Sequence, residues 1–134
     1  MKIAKIQKHT SNQRLDYLHK QSTKIANSYD IVCVETLDMK AMSNKGFGNG
    51  KATLDNGYGM FRDMLAYKLE DRGKKLIKVD RFYPSSKTCS KCGKIKKELS
   101  LSERIYECGC GNRMDRDVNA AINIREEGKR ILCA

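Results

Sequence analysis

A single proline and no low-complexity tract set these 134 residues apart from a disordered chain, so the sequence is expected to fold. No stretch approaches the apolar run of about 20 residues that a bilayer-spanning helix needs. The opening residues carry no signal-peptide pattern. Membrane insertion and secretion are therefore set aside, and the expected compartment is the cytoplasm. Acidic residues are the minority: 16 Asp and Glu face 27 Lys and Arg, giving a net charge of +11 and a pI near 9.5. Such a surface calls for a polyanionic partner, with nucleic acid ahead of an acidic membrane face. No phosphate-loop frame of the GKS/T or GxGxxG kind is present. The glycines of Met39 to Asn56 are accordingly read as a mobile basic loop. The length suits one domain, or one domain with a small insert, around a modest core.

What the chain does have is cysteine in a pattern. Cys89-Ser-Lys-Cys92 and Cys108-Gly-Cys110 are two close pairs with 15 residues between them. That is zinc-ribbon spacing. Four thiolates close a tetrahedron around Zn2+ and leave no open position, which makes such a site structural. Each pair ends in Cys-Gly, at Gly93 and Gly111, where glycine lets the backbone turn and aim N–H groups at the sulfurs. Two disulfides are the competing use of the same four residues, and a reducing cytoplasm argues against them. Leu99, Leu101, Ile105 and Tyr106, between the pairs, suit a short hairpin. Lys87, Lys91, Lys94, Lys96 and Lys97 offset thiolate charge and are candidate phosphate contacts.

Upstream, Lys5 to Asn27 has helical spacing, with Leu15, Leu18, Ser22, Ile25 and Ala26 on one face and a basic remainder. His9 and His19 have no ligand-spaced partners and are read as surface residues. Ile31-Val32-Cys33-Val34 is a short β-branched run, apolar on both faces, that ends at Glu35. A carboxylate at the C-terminal end of a central strand is where α/β sheets place their sites, although a plain strand exit explains it equally well. Tyr58 to Arg72 reads as a second helix with Gly73 as its cap, and Lys75 to Val79 as a strand followed by Asp80. A final helix runs from about Val118 to Ile131. Asp115 and Asp117 precede or open it; one is expected to be functional and the other an N-cap.

Glu35 and Asp117 are thus two carboxylates at the ends of regular elements. Such acids hold hard cations, and a pair of Mg2+ or Mn2+ ions about 4 Å apart is the recurrent engine of phosphodiester cleavage. With a basic surface, a nuclease is the economical reading.

Three stretches then carry a resemblance: Val32-Cys33-Val34-Glu35-Thr36-Leu37, the run from Asp80 through Pro84-Ser85-Ser86-Lys87-Thr88-Cys89 to Gly93, and Asp115-Arg116-Asp117-Val118-Asn119-Ala120-Ala121-Ile122-Asn123-Ile124. They resemble the C-terminal half of the TnpB/OrfB family of insertion-sequence proteins, RNA-guided DNA endonucleases long labelled transposases. The resemblance implies an α/β fold: a partial RNase H-like (RuvC) core with a mixed sheet and flanking helices, and an inserted zinc-ribbon β-hairpin. It divides the chain into a partial nuclease core at 1–86, the ribbon at 87–113 and a final motif with its helix at 114–134. It implies that Glu35 and Asp117 are catalytic and bind Mg2+ or Mn2+. It implies that Cys89, Cys92, Cys108 and Cys110 bind structural Zn2+, and that Lys87, Lys91 and Arg116 touch nucleic acid. Met114 stands where many relatives have histidine. The implied partners are DNA and a guide RNA, in a prokaryotic, nucleoid-associated setting without membrane.

The family's first catalytic aspartate has no counterpart before Glu35, since Asp16 falls within a helix and Asp30 in its exit turn. The chain is therefore expected to be inactive alone, its sheet left with an open edge. Its missing N-terminal half or a second copy would complete it. The alternative is a non-catalytic zinc-ribbon module or regulator that binds nucleic acid.

Overall fold

A computed structural model describes residues 1–37 and 57–134. The expected basic loop, Met39 to Asn56, lies outside the described residues. The described elements are, in order, α1 (Lys2–Ser28), β1 (Ile31–Glu35), α2 (Tyr58–Asp71), β2 (Lys75–Val79), β3 (Ile105–Glu107), β4 (Arg113–Asp115) and α3 (Arg116–Cys133). They form two compact units, 1–32 with 37–76 and 33–36 with 77–134. No helix of the described residues is long and apolar enough to cross a membrane.

The first unit is built by α1 against α2. Leu18, Ser22 and Ala26 recur every four residues and form the buried stripe of α1; Leu15, expected beside them, is 39% exposed. Met64, Leu65 and Leu69 answer from α2. Ala26, Leu65 and Leu69 make the centre, with Ile25, Val32, Phe61 and Leu76 packed around it. Ser22 and Ala26 are small, so the helices approach closely enough to bury Lys68 as well. The Lys68 ammonium donates to Ser22 Oγ at 2.7 Å, Thr23 Oγ1 at 2.8 Å and the His19 carbonyl at 2.8 Å. Burial, reinforced by Arg72, holds its pKa below the usual lysine value. Gly73 ends α2 as expected: its N–H donates to Glu70 O, and the Lys74 N–H reaches back to Leu69 O.

β1 and β2 are paired neighbours. Their flanking backbone bonds run start to start and end to end, from Lys75 N–H to Asp30 O at 3.1 Å and from Thr36 N–H to Val79 O at 3.0 Å. That is a parallel pairing, so both strands deliver their C-terminal ends to the same side. β1 was expected to be a central strand. Among the described residues it has β2 as its one neighbour, and Val32 to Glu35 are half-buried.

In the second unit α3 packs at Gly128. A Cβ built there would overlap Cys33 Sγ of β1 and lie 3.7 Å from Ile77 Cγ2 of β2. The ribbon hairpin differs from its expected position. Its strands do not fill the interval between the cysteine pairs but flank the second pair. β3 and β4 are antiparallel, with Ile105 opposite Asp115, Tyr106 opposite Met114 and Glu107 opposite Arg113. Tyr106 is fully buried, donates its hydroxyl to Lys87 O at 2.9 Å and lies under the Lys96 ammonium at 4.7 Å. It is the one large ring available to fix the register. Ser100 to Glu103 instead close a turn, Ser100 N–H donating to Glu103 Oε2 at 2.7 Å and Glu103 N–H to Ser100 O at 3.1 Å. Leu101 is left 87% exposed.

Candidate functional site

The four cysteines converge. Their sulfurs all lie within 4.8 Å of one another, and the Cys89–Cys110 and Cys92–Cys108 pairs are each 3.7 Å apart. A tetrahedral zinc with bonds of about 2.3 Å has ligand-to-ligand edges of about 3.8 Å, so the set fits Zn2+. All four thiols are free, not disulfides. Two tight turns present them. Cys89 N–H donates to Lys94 O and Gly93 N–H to Cys89 O; Cys108 N–H donates to Asn112 O and Gly111 N–H to Cys108 O. Gly93 and Gly111 have φ of 77° and 90°, the left-handed conformation anticipated for them.

The electrostatics point the same way. Burial raises the Cys89 thiol, but the backbone N–H groups of Cys92 and Lys91, the Asn112 amide and the Cys110 thiol outweigh it and bring its pKa down to about 6. At Cys92 the Lys94 N–H favours the thiolate, yet loss of solvent and the sulfurs of Cys108, Cys110 and Cys89 push its pKa up to about 11. One thiolate is easy to form and the next is opposed by it. A divalent cation at the centre removes that conflict.

A second arrangement joins this centre to α3. Asn119 is fully buried. Its Nδ2 donates to Thr88 O at 2.7 Å, and its Oδ1 accepts from Ser90 N–H at 3.0 Å. One turn on, Asn123 Nδ2 donates to Ser85 O at 2.8 Å and to Thr88 O at 2.7 Å. These side chains clasp the segment that leads into Cys89. Asn112 adds a bond to Cys89 Sγ at 3.4 Å. Sequence reasoning gave none of the three asparagines a role, although Asn119 and Asn123 stand in the stretch that carries the resemblance. A signal was available at two of them: Asn119 and Asn123 are four apart on one helix face, and asparagine is a poor helix former that needs a reason to be there.

At the start of α3 the two aspartates separate in role. Asp115 is the N-cap, its Oδ1 accepting from Asp117 N–H at 2.8 Å and Val118 N–H at 3.1 Å. Asp117 follows in the first turn with its side chain 81% exposed and Arg116 Nε at 3.9 Å. It shares with Glu35 a cavity of about 340 Å³. Ser85, Ser86, Lys87, Leu99, Leu101 and Arg116 complete most of the wall. Two carboxylates far apart in sequence thus line one cavity, together with Ser85, Ser86 and Lys87 of the clasped segment. Burial pushes the Glu35 carboxyl up from its ordinary value. A cation would relieve that cost. Among the described residues the four cysteines are the one group of three or more Asp, Glu, His or Cys at ligating spacing, so no third acid joins Glu35 and Asp117 there.

The three expected phosphate contacts have different surroundings. Lys87 lines the cavity, its ammonium 3.2 Å from Lys97 O. Lys91 is exposed on the first cysteine turn. Arg116 has a side chain only 16% exposed and donates to Ser100 O at 3.2 Å and Leu101 O at 3.4 Å, bracing the ribbon's turn.

Residues 58–124 match the family model described as "Cas12f1-like, TNB domain", and residues 1–46 match one described as "Probable transposase". The chain is 37% identical over 127 residues to a "Putative RNA-guided DNA endonuclease" of Streptomyces pristinaespiralis, an alignment spanning 95% of this chain and 31% of that protein. It is 33% identical over 132 residues to the TnpB-like protein L79 of Acanthamoeba polyphaga mimivirus, covering 94% and 25% of the two chains. Its fold matches a solved chain from the Cas12f1–sgRNA–target DNA complex with a TM-score of 0.70 and 23% identity, over 92% of this chain and 36% of that one. The chain therefore spans about a quarter to a third of the length of the proteins it matches.

Proposed function

We propose, from the premise that this chain belongs to the TnpB/OrfB family, that it is the C-terminal part of an RNA-guided DNA endonuclease dependent on Mg2+ or Mn2+. The observation that carries this reading is the single cavity onto which both Glu35 and Asp117 open. In it the division into a partial RuvC-like core at 1–86, a ribbon at 87–113 and a final motif with its helix at 114–134 is kept, and Zn2+ at the four cysteines is structural. Glu35 and Asp117 would hold the catalytic cations, which supply Lewis acidity and a water of lowered pKa when bound. The remaining work belongs to this chain's residues. Asp115 fixes the end of α3 and so the position of Asp117. Asn119 and Asn123 hold the opposite wall, where Ser85, Ser86 and Lys87 offer hydroxyls and a positive charge to a phosphodiester. Lys91 extends the basic surface.

Two carboxylates hold two hard cations poorly. The reading therefore includes a third acid supplied from outside these residues, by an N-terminal half of the family's kind or by a second copy. The decisive assay is cleavage of a DNA target in Mn2+ or Mg2+, by this chain alone and with a family N-terminal half plus guide RNA. Cutting is expected only in the complete mixture and only with Asp117 intact. Cutting by the chain alone, abolished by Asp117→Ala, would refute the requirement for a third acid. DNA binding without cutting in either mixture would favour the second reading, a non-catalytic zinc-ribbon module, for which the lack of a third acid beside Glu35 and Asp117 among the described residues speaks.

A further inference from the structure

The turn that follows β2 arranges two neighbouring aromatic residues in a way burial alone does not explain. Tyr83 carries a hydroxyl and is half-buried, with Glu127 and Arg130 close enough to bear on its ionisation. Phe82, all carbon, is 77% exposed. An apolar ring is held out in water while its more polar neighbour is taken in, the reverse of the ordinary preference. The turn enforces this. Asp80 Oδ1 accepts from Phe82 N–H at 2.7 Å, Asp80 O accepts from Tyr83 N–H at 3.1 Å, and Tyr83 O accepts from Ser85 N–H at 2.8 Å. The Arg81 guanidinium lies 4.6 Å from the Phe82 ring centroid. The guanidinium thus lies over one face of the ring, and the other face, backed by that cation on a braced turn of a strongly basic chain, is a surface onto which an unstacked base settles.

We propose that Arg81 and Phe82 form a stacking platform for an unpaired nucleobase, leading a single strand toward the Ser85–Lys87 wall of the cavity. This deepens the nucleic-acid reading of the preceding section and rests on it. Tyrosine would serve a mixed protein interface as well. A phenylalanine whose ring makes no hydrogen bond suits a contact that is blind to sequence, since every base has a π face.

The test compares two labelled oligonucleotides of equal length, one of thymidines and one of abasic sites, binding to the zinc-loaded chain as salt is varied. Phe82→Ala is expected to weaken the thymidine strand by roughly fivefold to a hundredfold. It should leave the abasic strand and the salt dependence unchanged, because no phosphate contact is lost. Phe82→Trp should bind at least as tightly as the parent. Lys87→Ala should lower both affinities and the salt slope together. The side chain is exposed and the turn is held through Asp80, so Phe82→Ala should fold normally. Equal losses on both strands, or no loss on thymidine, would overturn the platform while leaving nucleic-acid binding intact. Failure of the parent chain to bind either strand at low salt would overturn the platform and the nucleic-acid reading beneath it. Stacking by this chain, with no DNA cleavage even in the complete mixture with a family N-terminal half and guide RNA, would leave the platform standing and count against the nuclease alone.

Discussion

Replacing Asn119 by alanine should cost the ribbon-bearing unit about 2–4 kcal/mol of folding free energy. The change deletes two hydrogen bonds, to Thr88 O and from Ser90 N–H, each worth about 1 kcal/mol net. The losses are unequal in kind. Thr88 O still accepts from Asn123, but Ser90 N–H loses its acceptor, and an unsatisfied backbone donor raises that one loss to about 1–3 kcal/mol. The space left by a fully buried side chain places the total toward the upper part of that range. Because Thr88 adjoins Cys89, the loss should reach the metal centre too. Urea denaturation followed by circular dichroism, run at fixed zinc with a chromogenic chelator reporting release, would show both midpoints falling together. Asn119→Asp sharpens the test. It keeps an acceptor for Ser90 N–H but sets a carboxylate against Thr88 O, so its cost should be large at neutral pH and shrink once the acid is protonated and can donate. A change under about 0.5 kcal/mol in Asn119→Ala, or loss of helix with no shift in zinc release, would refute the clasp.

Zinc affinity should be steeply pH-dependent. The Cys89 pKa lies below the ordinary thiol value, so its thiolate contributes fully above that value and is lost as pH falls through about 6. Cys92, held near 11, must lose a proton on binding anywhere between. Calorimetry in buffers of different ionisation enthalpy should register proton release at pH 7 and a collapse of affinity below 6; constant affinity from pH 8 to 5 would contradict this. Gly128→Ala drives a methyl into Cys33 Sγ and should destabilise by about 1–3 kcal/mol. Adding Cys33→Ala should return part of that loss, though Cys33 Cβ remains 3.0 Å away; strictly additive costs would mean the overlap is not the cause.

The regular elements were legible because their signals are local. The stripe of Leu18, Ser22 and Ala26, the β-branched run ending at Glu35, and Gly73 behind α2 all act within a turn or two. The cysteine cluster was legible because ligand spacing is a rule of chemistry rather than of packing. Glu35 and Asp117 could be picked out one by one, but only the tertiary arrangement puts them on one cavity. An N-cap role for one of Asp115 and Asp117 was foreseen, and the geometry gives the cap to Asp115. The hairpin was misplaced because Leu99 and Leu101 looked like strand residues, whereas a turn closed by Ser100 and Glu103 intervenes and Tyr106 fixes the register downstream. The asparagine clasp escaped because its partners are backbone carbonyls and an N–H, which leave no mark in the letters of a sequence.

The close approach at Gly128 also gives the chain a built-in reporter. Cys33 Sγ lies where the helix backbone covers it, and burial raises its pKa, with Lys129 drawing it partly back. Cys33 is half-buried, and where α3 crosses it at Gly128 an alkylating reagent is hindered, so its labelling should quicken when the helix lifts away. Cys133, exposed at the last position of the same helix, reacts without any such opening and calibrates the reagent. With the four ribbon thiols protected by metal, two cysteines that neither bind zinc nor face the cavity become a clock for local unfolding, readable by mass spectrometry without altering a residue.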